Sequence, residues 1–417
     1  MRADLILKNA AQILTCRGPA PRSGEAQRDA SPIANATVAS FEGSIVFVGA
    51  SRDADAAVTP TPHATVIDAG GGTVLPGFVD AHTHVVFAGD RREELRRRLA
   101  GATYQEIAAS GGGIVSTVRD TRQAKDDDLA RQTRVRLDEM LRCGTTTCEA
   151  KSGYGLTVDS ELKQLRVIRR LDREQPIDLV PTFLGAHEVP LEYRNRRDQY
   201  VDLVVNEMIP AVARERLAEW CDVFCETGAF TPEESIRILR AGQAAGLKSR
   251  LHADELGLSG GSAVAVHVGA RSADHLVFVD RDHAEAMARA QIVATLLPAA
   301  AFFLKLGRFA PARMLVGTGV PVAIATDVNP GGGFSPSMPF AIALACFAMD
   351  MTLDEALVAA TLNAAFALDR HDRIGSLEAG KQMDAVVLDG GPVELLRVGA
   401  PAIRMVIKSG KVAWSSG

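Results

Sequence analysis

Short apolar segments alternate with longer amphipathic segments through the middle of the chain. Eight apolar segments of strand length lie at residues 74–84, 145–150, 178–186, 222–225, 248–252, 274–279, 292–297 and 320–325. Apolar residues recur with helical spacing between them, for example in 126–142, 160–172, 232–245 and 281–290. Eight strands that alternate with helices predict a TIM-like (β/α)8 barrel. No glycine-rich dinucleotide loop follows a strand, which disfavours an open doubly wound sheet.

Both ends of the chain have a different pattern, in which short strands follow one another without helices. Strands are predicted at 4–8, 36–41, 44–48 and 64–68 before the barrel, and at 385–388, 403–409 and 412–414 after it. Residues 17–35 indicate a mobile excursion, 353–368 a helix, and Ser409-Gly410 a hairpin turn. We therefore expect an α/β protein in which a small β-sandwich domain (1–72 and 373–417) flanks a barrel domain (73–372).

Length and composition fit this architecture and exclude several classes of partner. A chain of 417 residues suits a barrel of about 250–300 residues with an accessory domain. The net charge is −5 and basic residues cluster only at 91–98, so nucleic acid is not an expected partner. The longest apolar stretches, such as 340–349, are far shorter than the ~20 residues that span a bilayer, and the N-terminus has no apolar signal core. No membrane association is expected.

The six cysteines favour a reduced, cytoplasmic protein, because they lack the density of a disulfide-stabilised secreted domain. Cys221 and Cys225 have the spacing of a zinc-binding pair. They lie in one apolar strand, however, and the interpretation as small buried residues is favoured.

Two histidines at the end of the first barrel segment are the strongest sign of chemistry. His82 and His84 lie two residues apart, so in an extended chain both imidazoles point to one side, where one metal ion can bind both. A pair of core or loop histidines is the alternative for an isolated His-x-His. Further polar residues beside other apolar segments argue against that alternative: His187, His252, His275 and Asp327.

These residues are expected at one end of the barrel, because active sites of this fold form at the carboxyl ends of the strands. A catalytic metal needs three or four protein ligands and an open position for water. His82 and His84 from strand 1, His252 from strand 5 and Asp327 from strand 8 meet this requirement. His187 ends strand 3, and His275 begins strand 6 or lies within it. Gly111-Gly112-Gly113 and Gly331-Gly332-Gly333 indicate flexible loops at the site.

Several motifs resemble the amidohydrolase superfamily over essentially the whole chain. Gly77-Phe78-Val79-Asp80-Ala81-His82-Thr83-His84 resembles its first barrel strand, and residues 380–388 resemble its return into the β-sandwich domain. Within the superfamily, the segments at 86–91, 151–156, 183–187, 252–255 and 326–331 are similar to those of the imidazolonepropionase family.

This resemblance implies a barrel of the amidohydrolase type that hydrolyses the ring amide of 4-imidazolone-5-propanoate to N-formimidoyl-L-glutamate in histidine degradation. It also implies a small-molecule substrate, a homodimer, and zinc or iron bound by His82, His84, His252 and Asp327. Binuclear relatives place a carbamylated lysine at the end of strand 4, where this chain has Glu226. One metal ion per subunit is therefore expected.

The resemblance further implies catalytic roles for three residues. Glu255 would carry a proton from the attacking water to the leaving nitrogen; the alternative is a carboxylate at a helix N-terminus. Asp254 beside it is expected to be such a cap. His275 would hydrogen-bond the water or the developing oxyanion, unless it is a satisfied core histidine. Asp327 is a ligand, a base or both.

Arg91 is the expected partner of the substrate's propionate, because a guanidinium grips a carboxylate with two parallel hydrogen bonds. The alternative is serious, since the charged run 91–98 also fits a solvated helix face.

Contacts with the rest of the substrate are implied for Tyr154, His187, Glu255, Asn329, Gly331 and Gly332. Tyr154 and His187 would bind the ring, and Asn329 and Gly331 the formimidoyl or carboxylate end. Gly332 stands where many family members have Ser or Thr, so a hydroxyl contact there is lost or is replaced by backbone.

Two other functions are weighed against this one. A cytosine- or guanine-type deaminase shares the His-x-x-Glu element, but its substrates lack a carboxylate tail for Arg91, and it would release ammonia. A non-catalytic scaffold of the same superfamily would have lost metal ligands, whereas this chain retains four.

Overall fold

The structure is a computed structural model that describes residues 1–102, 106 and 112–417. Within these residues the strands are β1 (Arg2–Leu14), β2 (Pro32–Phe41), β3 (Ser44–Ala50), β4 (Thr59–Asp68), β5 (Thr73–Pro76), β6 (Phe78–Asp80), β7 (Thr145–Lys151), β8 (Asp178–Ala186), β9 (Trp220–Cys225), β10 (Lys248–Ala253), β11 (Ser272–His275), β12 (Val293–Leu296), β13 (Val322–Ile324), β14 (Ala385–Leu388), β15 (Ile403–Lys408) and β16 (Lys411–Ser415).

The α-helices described are α1 (Ser51–Ala57), α2 (Arg92–Leu99), α3 (Ile114–Gln123), α4 (Asp126–Arg142), α5 (Val158–Glu174), α6 (Arg197–Leu203), α7 (Ile209–Glu215), α8 (Pro232–Ala244), α9 (Gly261–Val268), α10 (Arg281–Arg289), α11 (Pro298–Phe303), α12 (Ala312–Gly317), α13 (Met338–Ala348), α14 (Leu353–Ala360) and α15 (Leu362–Ala367). A π-helical turn, Val204–Met208, joins α6 to α7.

Strands β6 to β13 form a parallel sheet in which each strand pairs with the next one along the chain. The two ends of this sheet meet just beyond β6 and β13. There the Asp327 N–H donates to the His82 carbonyl (3.0 Å), and the His84 N–H donates to the Val328 carbonyl (2.9 Å). The sheet is thus a nearly closed barrel with helices around it, and the predicted (β/α)8 fold is confirmed.

The apolar pattern follows from where each element lies. Barrel strands are covered on both faces, so they are continuously apolar; in β8 every residue after Asp178 is buried. The helices are buried on one face only, as in α5, where Leu162, Leu165 and Ile168 face the barrel side. Local signals set where helices begin: Thr231 makes a capping box before α8.

A second sheet is built from both ends of the chain, in the order β16-β15-β14-β5-β1-β2-β3, with β4 also paired to β1. Strand β5 joins the two ends, since it pairs in parallel with β1 and antiparallel with β14. The predicted hairpin turn is confirmed: Ser409 and Gly410, between β15 and β16, both have positive φ (48° and 73°). This sheet fits the expected β-sandwich domain. Its boundaries at 72/73 and 372/373 stay a prediction.

The apolar segment 74–84 is not one strand. It divides into β5, in the flanking sheet, and β6, in the barrel, with Gly77 between them. The Gly77 N–H donates to the Asp384 carbonyl (2.9 Å), and a Cβ at this position would lie 2.3 Å from Thr146 Oγ1. The prediction of a single strand is wrong because the chain passes from one sheet to the other at a glycine that has no room for a side chain.

Two other predicted elements differ in the structure. The helix predicted at 353–368 is divided into α14 and α15, because Thr361 leaves the helical region (φ −128°, ψ −87°). Strand 6, predicted at 274–279, ends at His275, since His275 and Leu276 both adopt positive φ (75° and 56°) and turn the chain out of the sheet. His275 therefore ends its strand rather than beginning it or lying within it.

The segment 17–35 packs against the barrel, so the prediction of a mobile excursion is wrong. It contains a short 3₁₀ helix, Gly24–Arg28. Gln27 is fully buried, and its amide both donates to the Val322 carbonyl (3.0 Å) and accepts from the Val322 N–H (3.2 Å). The Gln27 amide thus satisfies both the N–H and the carbonyl of Val322 in a barrel strand. The composition of the segment gives no sign of this contact.

Cys221 and Cys225 are both buried in the main apolar core, which confirms their interpretation as small core residues. Across the described part of the chain, no helix combines the length and the apolarity needed to cross a bilayer.

Candidate active site

The carboxyl ends of the barrel strands surround a cavity of about 730 Å³. Its lining includes His84, Arg91, Tyr154, His187, His252, Glu255, His275, Asp327, Asn329, Gly331 and Gly332. His82 completes the set of residues that we predicted from the sequence; it is fully buried beside His84 and His252. Strands that are far apart in the chain therefore bring all the predicted side chains to one place.

His82 and His84 owe their position to the closure of the barrel. Both follow the end of β6, and the backbone bonds that join this segment to the one after β13 involve the His82 carbonyl and the His84 N–H. Asp327 supplies the N–H of the first of these bonds. Two ligand candidates are thus held beside a third by the hydrogen bonds that complete the sheet.

The side-chain atoms that could bind a metal converge. Asp327 Oδ1 lies 3.6 Å from His82 Nε2 and 3.5 Å from His84 Nε2. His252, from β10, brings its Nε2 to 3.2 Å from His84 Nε2. Ligand atoms of His82, His84 and His252 form one group within 4.8 Å, and those of His82, His275 and Asp327 form another.

The chemistry of these donors fits a metal ion. His82 Nε2 and Asp327 Oδ1 are buried and have no hydrogen-bond partner among the described residues. Unpaired buried polar atoms are costly, unless a bound ion uses them. Burial, with nearby Lys151, holds the pKa of His82 well below its usual value, and burial does the same for His84. Both imidazoles are therefore neutral, the form in which histidine binds metal.

The other ring nitrogen of two histidines is hydrogen-bonded to a buried carboxylate. Asp274 Oδ2 lies 2.7 Å from His82 Nδ1, and Asp222 Oδ1 lies 3.1 Å from His252 Nδ1. Such a bond keeps the proton on Nδ1 and leaves Nε2 free for a metal. Neither carboxylate was predicted from the sequence. The available signal was an acidic residue inside an otherwise apolar strand, which is rarely buried without a partner.

Glu255 lies in the cavity and is fixed from both sides along the chain. Asp254 before it accepts four backbone N–H groups, those of residues 259–262 at the start of α9 (3.0–3.2 Å). After it, the Leu256 N–H donates to Glu226 Oε2 (2.8 Å). The expectation that Asp254 caps a helix is confirmed. Glu255 itself stands six residues before α9 begins, so the helix-start alternative for this residue is wrong.

Glu255 and His275 face each other, with Oε1 3.5 Å from Nδ1. Burial, followed by the charges of Asp327 and Glu226, raises the pKa of Glu255 well above its usual value. Burial lowers the pKa of His275, whose Nε2 has no described partner. The site therefore holds a carboxyl group that binds a proton readily, beside a neutral imidazole.

Arg91 points into the cavity and not to solvent, because its side chain is only 10% exposed. Nε donates to Glu94 Oε2 (2.6 Å), and Glu94 Oε1 in turn accepts the Gly113 N–H (2.9 Å). No described residue accepts a hydrogen bond from Nη1 or Nη2. Gly331 makes room for the guanidinium, since a Cβ there would lie 2.2 Å from Nη1. The solvated-face alternative therefore fails for Arg91, although Arg96 in the same run is 80% exposed.

Tyr154 and His187 form an aromatic wall next to the ligand candidates. The His187 ring stacks on His84 (4.9 Å between centroids, 25° between planes), and Tyr154 lies 5.2 Å from His187. The Gly153 carbonyl lies 3.0 Å from His187 Nδ1, and burial lowers the pKa of His187 to about 3. A flat, uncharged ring can stack on such a wall.

The glycine loop after Asp327 is tied down and is not the flexible loop that the sequence indicated. Asn329 Oδ1 accepts the N–H groups of Gly331 (2.8 Å) and Gly332 (2.6 Å), while the Asn329 N–H donates to the Gly333 carbonyl (2.9 Å). Asn329 thus organises the loop, and the Gly332 N–H is already engaged within it. Of the other glycine triplet, Gly111 lies outside the described residues.

The chain is similar in sequence and in fold to several known proteins. The sequence model of the amidohydrolase family matches residues 73–413. An imidazolonepropionase of Clostridium tetani is 44% identical over 415 residues, 99% of each chain, and one of Symbiobacterium thermophilum is 49% identical over 386 residues, 92% of this chain and 91% of that one. A zinc-bound adenosine deaminase from Xanthomonas campestris has the same fold, with a TM-score of 0.72 and 20% identity over 99% of this chain and 93% of that one.

Proposed function

Since this chain belongs to the amidohydrolase family and, within it, to the imidazolonepropionases, we propose that it hydrolyses the ring amide of 4-imidazolone-5-propanoate to N-formimidoyl-L-glutamate. Water adds to the ring carbonyl carbon, the ring carbon–nitrogen bond breaks, and the nitrogen takes up a proton. The product carries a new carboxylate beside the propionate of the substrate. Its formation is a step in histidine degradation.

One observation supports this substrate above others. The cavity that contains four converging metal-ligand candidates also contains Arg91, whose Nη1 and Nη2 have no described partner. A buried guanidinium with its fork unoccupied is suited to a carboxylate. The propionate tail of the substrate supplies that carboxylate, while the substrates of nucleobase deaminases do not.

His82, His84, His252 and Asp327 would hold the metal ion, since the Nε2 atoms of the histidines and Asp327 Oδ1 lie close together. When bound, one Zn²⁺ or Fe²⁺ ion would polarise the ring carbonyl and lower the pKa of bound water to about 7. Both metals suit three imidazoles and a carboxylate.

Proton transfer is assigned to Glu255, a buried carboxylate whose raised pKa makes it a stronger proton acceptor than an exposed one. It takes the proton from the attacking water and delivers it to the ring nitrogen that leaves. His275 donates a hydrogen bond to the oxyanion that develops on the carbonyl oxygen. Asp327, whose Oδ1 lies 3.6 Å from His82 Nε2 and 3.5 Å from His84 Nε2, shares in accepting the proton of the water.

Substrate binding is assigned to the aromatic wall of Tyr154 and His187, to Arg91 and to the glycine loop. The imidazolone ring stacks on Tyr154 and His187, and Arg91 holds the propionate. Asn329, Gly331 and Gly332 shape the side of the cavity next to Arg91. The Gly332 N–H is engaged by Asn329, the Gly331 carbonyl accepts from Arg98 Nη1, and the Gly333 carbonyl accepts the Asn329 N–H. Of the three glycine carbonyls, that of Gly332 is therefore left to contact the substrate.

The test is to mix purified, metal-loaded protein with fresh 4-imidazolone-5-propanoate and to follow the loss of the ring chromophore. We expect stoichiometric N-formimidoyl-L-glutamate and no ammonia. Stoichiometric ammonia would instead indicate a deaminase, and a protein that binds no metal and leaves the substrate intact would indicate a non-catalytic scaffold.

We also propose that the protein works in the cytoplasm, as its cysteine usage favours, and that it forms a homodimer, as its resemblance to the family implies. Sedimentation equilibrium of the purified protein tests the dimer, and a mass of one chain at micromolar concentration would contradict it.

A further inference from the structure

Five of the fully buried charged side chains form one connected group inside the barrel, outside the set predicted from the sequence. They are Glu149 and Lys151 of β7, Asp222 of β9, Arg250 of β10 and Asp274 of β11, here called the buried charge chain. Charged residues are almost never buried to this extent unless they are paired. With three carboxylates and two cations, the group has a net charge of −1.

Lys151 joins the first two carboxylates. Its ammonium donates to Glu149 Oε1 and to Asp222 Oδ2, both at 2.6 Å. These acceptors come from different strands, so Lys151 ties β7 to β9 across the barrel interior. Burial alone would raise the pKa of Asp222, but the charge of Lys151 and the contact with His252 hold it well below its usual value.

Arg250 is the second cation of the buried charge chain, and it contacts Glu149 and Asp274. Its Nη1 lies 3.3 Å from Glu149 Oε1, and its Nη2 donates to Asp274 Oδ2 (2.9 Å) and to the Ala81 carbonyl (2.7 Å). The second oxygen of Glu149 accepts the Thr83 N–H (3.2 Å). Glu149 and Arg250 therefore hold the backbone on both sides of His82 and also connect Lys151 to Asp274.

The buried charge chain ends at two carboxylates that contact histidines proposed as metal ligands. Asp274 contacts His82 Nδ1, and Asp222 contacts His252 Nδ1. We propose that the buried charge chain acts as one positioning unit, with Lys151 as its central link, that orients the Nε2 atoms of His82 and His252 for the metal. This inference rests on the metal site of the proposed function and goes beyond its ligands.

The physical reason is the cost of an unpaired buried charge. Each carboxylate of the buried charge chain lies beside a cation that compensates it, so Asp222 and Asp274 are not free to turn away from their histidines. The bonds from Asp222 and Asp274 fix both the tautomer and the plane of each ring, and loss of such partners weakens metal binding by roughly 10- to 100-fold. The net negative charge also favours a cation at the neighbouring Nε2 atoms.

The alternative is that Lys151 stabilises the fold without positioning the histidines. Another buried lysine of the protein provides a control for this alternative. Lys408, only 6% exposed, likewise donates to two carboxylates, Asp178 Oδ2 and Asp384 Oδ2, both at 2.7 Å. It lies in β15 of the flanking sheet, in contact with none of the ligand candidates. Lys151→Met and Lys408→Met each remove an ammonium group that bridges two carboxylates. Both partners of Lys151 are fully buried, whereas Asp178 beside Lys408 is 45% exposed.

The experiment measures Zn²⁺ affinity of the whole protein by competition with a chromophoric chelator, with folding checked by circular dichroism. We expect Lys151→Met to weaken Zn²⁺ binding by roughly 10- to 100-fold, and Lys408→Met to leave it within about twofold of wild type even if its Tm falls. Asp222→Asn and Glu149→Gln retain side-chain volume and serve if Lys151→Met does not fold. Glu149→Gln is the sharper of the two, because Glu149 contacts neither ligand imidazole.

Each outcome decides between the alternatives. Weaker Zn²⁺ binding in Glu149→Gln supports a connected unit, whereas a loss confined to Asp222→Asn would reduce the unit to separate histidine–carboxylate pairs and overturn it. Equal affinity in all variants would also overturn it, while leaving the proposed function intact. Wild type that binds Zn²⁺ but does not hydrolyse the substrate would contradict only the proposed function, and wild type that binds no Zn²⁺ would contradict both.

Discussion

The floor and the rim of the cavity are built in different ways. The floor, here His82, His84, His252 and Asp327, is 0–4% exposed and is held by barrel strands, by the bonds that close the sheet and by buried carboxylates. At the rim, Arg91 lies in a loop before α2 and is held by one carboxylate, Glu94.

This difference indicates that the floor and the rim have different functions. Floor residues depend on the backbone of the whole barrel, so their geometry is common to any reaction at that metal site. Rim residues depend on loops, which are the variable parts of this fold. We therefore expect changes at the floor to abolish the reaction, and changes at the rim to alter which substrate is preferred.

The largest effect is expected for the floor. His82→Ala, His84→Ala, His252→Ala and Asp327→Ala should each lower metal content and abolish turnover, because four ligands leave no spare donor. Metal analysis and the chromophore assay measure both, with the exposed His267→Ala as the control histidine. Full metal content with a normal rate in any of the four would remove that residue from the site.

Glu255 lies next to the floor residues, and Glu255→Gln should separate metal binding from proton transfer. The amide retains the shape but cannot accept and release a proton, so metal content should stay normal while kcat falls by roughly 10²–10⁴-fold. A decrease of less than about tenfold would assign the proton transfer to Asp327 or His275 instead.

At the rim, Arg91→Ala should retain metal and lose roughly 1.5–3 kcal/mol of substrate binding, the value of a hydrogen bond to a charged group. Arg91→Lys should also be impaired, because an ammonium cannot reproduce the two-pronged contact. The comparison substrate is an imidazolone without the propionate, for which the penalty should largely vanish. Equal losses on the two substrates would mean that Arg91 is structural, and would remove the main argument against a deaminase.

The smallest effect is expected for Gly331→Ala, which acts only through Arg91. The new Cβ would lie 2.2 Å from Nη1, so the guanidinium must move and KM should rise, by no more than in Arg91→Ala. In the double variant the glycine substitution should add nothing, because neighbouring residues that act through one contact are not additive. An added loss in the double variant would indicate that Gly331 contacts the substrate itself.

Much of this could be predicted from the sequence, and the reasons are local. Strand and helix periods predicted the barrel, since an apolar segment of 178–186 or an amphipathic one of 126–142 forms its element wherever it lies. His82 and His84 were predicted as ligands because two-residue spacing alone places them on one side. Arg91 required the resemblance to known proteins, since its neighbours in the chain are mostly exposed.

What could not be predicted depends on contacts between distant segments. The division at Gly77 is decided by Asp384 and Thr146, far away in the chain. The pairing of Lys151 with Asp222 joins residues 71 positions apart, and no pattern in either segment indicates it.

By itself the sequence determined the barrel, the flanking strands and the kinds of chemical group available, because these follow from local periodicity and from the side chains themselves. Only the tertiary structure decided which polar residues meet. Asp222 and Asp274 contact His252 and His82 because the folded barrel brings their strands together, and both carboxylates are fully buried there. Burial removes every alternative partner, and this is a property of the folded chain alone.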